Sequence, residues 1–168
     1  NTTFSGDLSG DGNFIKAGNY TLALSGTNSI TGTKTINGGT LSISSDDNLG
    51  AVPGSVQSSH LVFSGGTLQT TAGFTLNSNR GINLSGNGTI NTNSSTQLDY
   101  GGQIQGSGNF TKDGAGTLLL SAANNFSGNL NIDGGTLSAS AVNQLGSTTG
   151  SNTITFDGGT LLATSDFT

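Results

Sequence analysis

An all-β parallel solenoid, a three-sided rod of stacked coils, is the fold this sequence predicts, and three observations predict it. The first is repetition. GSGNFTKDGAGTLLLSAANNFSGNLNIDGGTL at 106–137 restates GDGNFIKAGNYTLALSGTNSITGTKTINGGTL at 10–41, with a fixed offset of 96 residues and no gap. Phe14 and Phe110, Lys16 and Lys112, Asn28 and Asn124 all obey that offset, and ungapped repetition over such a length marks stacked units. The second is composition: 168 residues with 30% hydrophobic, 8% charged, 29 Gly and one Pro. A globular domain carries more of both classes, and a disordered chain combines low hydrophobicity with high charge or Pro enrichment. A thin core with many turns remains. The third is spacing: Leu22/Leu24 and Leu41/Ile43 lie 19 residues apart. That suits one circuit of about 20 residues, laid on the last at a strand spacing of ~4.8 Å.

Taken in order, residues 1–13 alternate around Phe4 and Leu8 and then turn at Gly10 and Gly12. YTLALS predicts a strand with Leu22 and Leu24 on one side and Thr21 and Ala23 on the other. Ile30 and Ile36 point inward between turn residues, and Leu41 and Ile43 mark the next strand. Residues 44–60 are the least regular; Asp46, Asp47, Gly50, Pro53 and Gly54 predict a protruding loop. Leu61/Phe63, Leu68, Phe74/Leu76, Ile82/Leu84 and Ile90 then give short inward segments, and QLDYGGQIQ at 97–105 leads into the second copy. Leu8–Gly50 maps onto Ile104–Gly146. Beyond Gly146 the offset shortens by three, so that SGGTL at 64–68 meets DGGTL at 157–161. The shortening falls in the predicted loop, where stacked strands tolerate it.

Four GGTL tetrapeptides begin at Gly38, Gly65, Gly134 and Gly158. They read as corners, where glycine allows a positive φ or a close backbone approach. No helix and no Lys-Ser/Thr follows them, as a phosphate-cradling loop requires.

The net charge of −5 and pI near 4.2 exclude a nucleic-acid binder, which needs clustered Lys and Arg, and oppose docking on anionic membranes. The acids read as a solvated surface. The absence of Cys removes disulfides and thiolate metal sites and suits a chain that crosses a membrane unfolded. No run of about 18 apolar residues is present, so no membrane insertion of this segment is expected. The start NTTFSGDLSG has neither the basic nor the apolar region of a signal peptide. The chain begins and stops inside repeat text, as an excised fragment would.

The pattern GxGNFxKxGxxTLxLSxxNxxxG followed by GGTL resembles the autotransporter-associated β-strand repeat, or passenger-associated transport repeat, of bacterial surface proteins. Here it is carried by Gly10, Gly12, Lys16, Gly18, Leu22, Leu24, Asn28 and Gly32, and again by Gly106, Gly108, Lys112, Gly114, Leu118, Leu120, Asn124 and Gly128. The text between the copies resembles the spacer found between such repeats. The first copy departs at Asn19-Tyr20, against Ala115-Gly116, and at Ile30, against Phe126. The resemblance implies a right-handed parallel β-helix, a single fragment (1–168) of a larger passenger, with a repeat unit of about 96 residues at 10–105 and an incomplete one at 106–168. It implies a Gram-negative cell-surface or secreted location, with the protein's own C-terminal translocator barrel outside this chain. It also implies a part in passenger folding and secretion.

Catalytic, cofactor and metal sites are all expected to be absent. Polysaccharide-cleaving β-helices need converging carboxylates; the adjacent acids here are Asp46 and Asp47, while Arg80 and His60 fall in different segments. Asp133 and Asp157 correspond to Asn37 and Ser64 and read as turn formers. Asp7 and Asp11 suggest a calcium loop, but the second copy lacks both, and one His without Cys opposes zinc. His60 reads as a loop-edge side chain, and Phe14, Phe63, Phe74, Phe110, Phe126 and Phe156 read as core. Tyr20 and Tyr100 read as strand residues, with sugar stacking as the alternative. Thr153/Thr155 hint at an ordered-water face that no register extends.

The expected function is a structural segment that presents adhesive regions, about eight circuits and roughly 40 Å long. A carbohydrate- or matrix-binding module, using the 44–60 loop with Asp46, Asp47 and Tyr100 toward a host glycan or protein, is the alternative. A cleaving enzyme ranks third. Unpaired strand edges at both ends predict end-to-end self-association.

Overall fold

The computed structural model describes residues 1–150, 152–165 and 167. Short β-propensity segments between Gly, Asn and Ser turns form β1 (Thr2–Phe4), β2 (Phe14–Lys16), β3 (Thr21–Leu24), β4 (Lys34–Ile36), β5 (Thr40–Ile43) and β6 (Gln57–Phe63). There follow β7 (Thr67–Thr70), β8 (Phe74–Leu76), β9 (Arg80–Leu84), β10 (Gly88–Thr92), β11 (Gln97–Tyr100) and β12 (Ile104–Gly106). The last are β13 (Phe110–Asp113), β14 (Thr117–Leu120), β15 (Leu130–Ile132), β16 (Thr136–Ala139), β17 (Ile154–Phe156) and β18 (Thr160–Ala163).

All pairings are parallel and join strands of successive coils. A first sheet stacks β1-β3-β5-β7-β10-β13-β15-β17, a second β8-β11-β14-β16-β18, and a third β2-β4-β6-β9-β12. The chain winds from first to second to third and back, giving the expected three-sided solenoid of about 7 turns with ~22 residues each. The expected 20 residues per coil is met by the Thr21-to-Thr40 circuit, whereas the Thr40-to-Thr67 circuit is longer. The added length is the loop after β5, together with 22-residue coils between β7 and β13.

Alternation places one set of side chains inside. Leu22, Leu41, Leu68, Ile90, Lys112, Ile132 and Phe156 form one inward column of the first sheet. Leu98, Leu118, Leu137 and Leu161 form its counterpart in the second. In the third, Lys34 stacks with Leu61, Ile82 and Ile104. Of the Phe residues read as core, Phe63, Phe110 and Phe126 are fully buried, and Phe14 and Phe74 pack partly against the core. Phe156, in the last coil, is 54% exposed because no later strand of this chain covers it. Ile30 and Ile36 point inward as expected.

The segment 44–60 corrects the expectation of one protruding loop. Asp46–Leu49 forms a 3-10 turn that packs below β8, burying Asn48 and Leu49. Gln57–His60 already belongs to β6. Only the stretch around Val52 to Val56 projects. Among the described residues no helix is long and apolar enough to cross a membrane.

Candidate functional site

The motif lysines sit at inward positions and reach back to the corners. Lys16 Nζ donates to the carbonyls of Ala17 (2.9 Å), Gly18 (3.0 Å) and Gly38 (3.0 Å). Lys112 Nζ makes the equivalent bonds to Asp113 (2.7 Å), Gly114 (2.9 Å) and Gly134 (3.1 Å). Each ammonium thus fastens the corner of its own coil to the corner of the next. An ammonium carries three protons, and these partners use them all. Burial pulls Lys112 down to about 8, with Asp113 pulling the other way.

Where a strand is missing, a side chain takes its place in the ladder. Asn28 Oδ1 accepts from Leu8 N (2.7 Å), and its Nδ2 donates to the Asn48 carbonyl (2.6 Å). Asn124 repeats this between Ile104 N (2.7 Å) and the Gln144 carbonyl (2.6 Å). Asn48 and Gln144 in turn hold the 3-10 turns: Asn48 Oδ1 accepts from Ser44 N and Ser45 N, and Gln144 Oε1 from Ser140 N and Ala141 N. Outside, a second column of side chains runs along the rod. Asn87, Asn109 and Asn129 each accept from the backbone N–H of the next coil, at 2.9–3.1 Å. Asn124→Ala strands a buried N–H and a buried carbonyl, so a loss of about 2–4 kcal/mol is expected in denaturant unfolding, with Asn125→Ala as an exposed control.

The basic residues that the sequence leaves in separate segments converge under the projecting loop. Arg80, fully buried, donates to both Asp46 carboxylate oxygens (Nε–Oδ1 2.9 Å, Nη2–Oδ2 3.0 Å) and to the carbonyls of Gly50 and Ala51. Asn79 Nδ2 donates to the Pro53 carbonyl (2.8 Å). The loop is therefore tied down by the coil above it. His60 is 1% exposed, correcting the loop-edge reading: β6 starts early enough to turn it inward. Lys34 Nζ donates to the carbonyls of Ile30 and Gly32 and lies 3.2 Å from His60 Nε2. Nε2 then accepts and Nδ1 carries the ring proton, facing the Thr31 backbone without a well-formed hydrogen bond.

Burial, then the charges of Lys34 and Arg80, push His60 down to about 4, against weaker pulls from Thr31 and Asp46. Burial and Arg80 hold Lys34 near 8. Above pH 6.5 His60 is neutral whether the chain is folded or not. As pH falls from there toward 4, only the unfolded chain takes up the proton, so stability is lost in that window. A loss of roughly 3 kcal/mol from this group by pH 4 is expected, measured as the difference in acid sensitivity between the native chain and His60→Gln.

Tyr100, offered as a sugar-stacking residue, is 1% exposed and donates its hydroxyl to the Arg80 carbonyl (2.9 Å). Its inward register in β11 removes it from any surface site, and burial raises its phenol. Tyr20 is exposed. Asp113, Asp133 and Asp157 end β13, β15 and β17 and stand in one column, with Asn91 Nδ2 donating to Asp113 (2.8 Å). Burial and the two flanking carboxylates push Asp133 up. Among the described residues no group of three or more His, Cys, Asp or Glu has metal-binding geometry. The expectation that no register extends a threonine face is corrected: Thr21, Thr40, Thr67, Thr89 and Thr111 align one per coil on the first sheet. They make a single column, beside Ala23, Ser42, Gln69, Asn91 and Asp113. A cleft of about 430 Å³ beside Gly146–Asn152 is lined by Val142, Leu145, Ile154 and uncharged polar residues.

Every basic side chain, Lys16, Lys34, Arg80 and Lys112, is thus inside, held by backbone carbonyls, His60 or Asp46. These features define a class: a repeat-built parallel β-solenoid whose motif residues serve its own coils. Comparison with known proteins agrees. The passenger-associated-transport-repeat model matches residues 14–43 and 110–139. The chain is 42% identical over 132 residues to the adhesin BmaC autotransporter of Brucella suis biovar 1 (strain 1330), an alignment covering 78% of this chain. The chain spans 4% of the length of that relative. No solved structure matches. The protein carries two passenger-associated transport repeats and is homologous to a stretch of an autotransporter adhesin.

Proposed function

We propose that this chain is a structural segment of an autotransporter-type passenger on the surface of a Gram-negative bacterium, supporting passenger folding and secretion and holding adhesive regions in place. The observation that carries it is the fate of the motif: Lys16, Lys112, Asn28 and Asn124 spend their hydrogen bonds on neighbouring coils. On this reading the passenger's own translocator barrel lies outside the chain, the segment is non-catalytic, and residues 1–168 are one fragment with repeat units at 10–105 and 106–168. The cleft beside Gly146 supports the non-catalytic part, since no acid, His or Lys lines it. Exposed Phe4, Ile15, Ile154 and Phe156 near the two ends support end-to-end association of the isolated chain.

The relative's designation as an adhesin favours a second reading, in which the projecting loop touches a host glycan or matrix protein. One experiment separates them. In the full-length protein displayed by bacteria, Lys112→Met is expected to lower the amount of surface passenger while leaving adhesion per displayed molecule unchanged. Replacing 51–56 by a Gly-Ser linker is expected to change neither. Loss of adhesion per molecule in the loop variant, at normal display, would establish the adhesin module and overturn the structural reading.

A further inference from the structure

We infer that each 96-residue repeat advances the chain by four coils plus one side of the rod, so that successive copies turn their equivalent surfaces to different directions. In the first copy, β2 and β4 lie in the third sheet and β3 and β5 in the first. Their equivalents at the 96-residue offset do not return to those sheets. β13 and β15 lie in the first sheet, and β14 and β16 in the second. Each is one side further along the winding. Register shows why: four coils carry the first sheet from Thr21 through Thr40, Thr67 and Thr89 to Thr111. The repeat equivalent of Thr21 is Thr117, one corner beyond Thr111 and in the next strand.

Local chemistry permits the step because it does not depend on the side. Lys16 fastens the corner between third and first sheets, and Lys112 the corner between first and second, with matching sets of three carbonyls. Asn28 fills the second side in its coil and Asn124 the third, each bridging the coils before and after it. A motif that closes any corner can be placed at any corner.

The consequence concerns display. The loop after β5 leaves the rod across its second side, and the loop after β16 across its third. The two loops point about a third of a turn apart, separated along the axis by roughly 20 Å at ~4.8 Å per coil. Three such steps return to the starting side. Equivalent loops therefore meet separate partner molecules around the rod, and two adjacent copies cannot both lie on one flat surface. A repeat of whole coils would instead line up every loop on one side and suit a flat partner.

The chain has no Cys, so disulfide trapping tests this without background. Adjacent parallel strands bring Cα atoms within disulfide range. Thr89→Cys with Thr111→Cys is expected to cross-link on mild oxidation, because β10 and β13 are neighbours in the first sheet. Asn83→Cys with Thr111→Cys, which a whole-coil repeat would stack in the third sheet, is expected not to. Spin labels at Val52 and Thr148 give the second readout, a separation well above 20 Å. Cross-linking of the 83/111 pair, or a label separation equal to the axial distance alone, overturns the inference. Retained far-UV strand signal establishes that each variant is folded.

Discussion

Gly135→Ala is expected to cost the fold about 2–5 kcal/mol. Gly135 opens the corner before β16 with φ +59, a region in which an L side chain pays roughly 1–2 kcal/mol. Space makes it worse. A Cβ there would collide with the carbonyl oxygens of Gly114 and Gly116 in the coil below, and relieving that contact would pry apart the carbonyls around the Lys112 ammonium. Overpacking of this kind adds about 1–3 kcal/mol. Gly39 holds the same place in the first copy, with φ +60 and the Gly18 and Tyr20 carbonyls beneath it. Gly54 is the control: nothing lies within 4 Å of its added Cβ, so Gly54→Ala should leave the unfolding midpoint in place. Equal midpoints for Gly135→Ala and the parent chain would refute the corner account.

Asp46→Ala is expected to cost about 3–5 kcal/mol, the range for removing one partner of a buried pair. Arg80 has no exposed surface, and its charge would remain with only carbonyls to face it. The backbone of Asn77, which donates to Asp46 Oδ1 (3.1 Å), would lose its acceptor as well. Two coils and the projecting loop are joined at this point, so the loop should become protease-sensitive near Pro53. The cycle with Arg80→Met discriminates pairing from packing. Removing both charges leaves neither uncompensated, so the double variant should be more stable than the sum of the single losses implies. Strict additivity would mean that the pair holds nothing.

Much of this architecture is legible in the sequence because the coil period writes itself into inward Leu and Ile positions. GGTL marks the corners for the same reason: only glycine fits there. The motif lysine and asparagine are visible as repeated letters, but their tasks are not. Spacing cannot tell that Lys112 points into an apolar column and then bends to three carbonyls, since a lysine between strand residues ordinarily faces water. The cluster of Lys34, His60, Arg80 and Asp46 was hidden by distance. Its members lie up to 46 residues apart, and the unequal coils around the loop conceal which strands stack. His60 and Tyr100 were misplaced for a related cause: one residue of register decides inside from outside. The turn of one side per repeat is likewise invisible until strand partners are known. The acid column shows the reverse case, where Asp133 and Asp157 alternate with Asn37 and Ser64 in the other copy and so look unimportant.

All of this rests on the motif lysines being parts of the rod rather than groups offered to a partner. Amine-reactive labelling followed by peptide mass spectrometry tests that most directly, because the three lysines are the chain's only amines apart from its N-terminus. Lys16 is 5%, Lys34 1% and Lys112 0% exposed. The account predicts that the native chain is labelled at its α-amine while Lys34 and Lys112 react only after denaturation, with Lys16 strongly slowed. Labelling of Lys112 in the folded chain at the rate of a free surface lysine would contradict it.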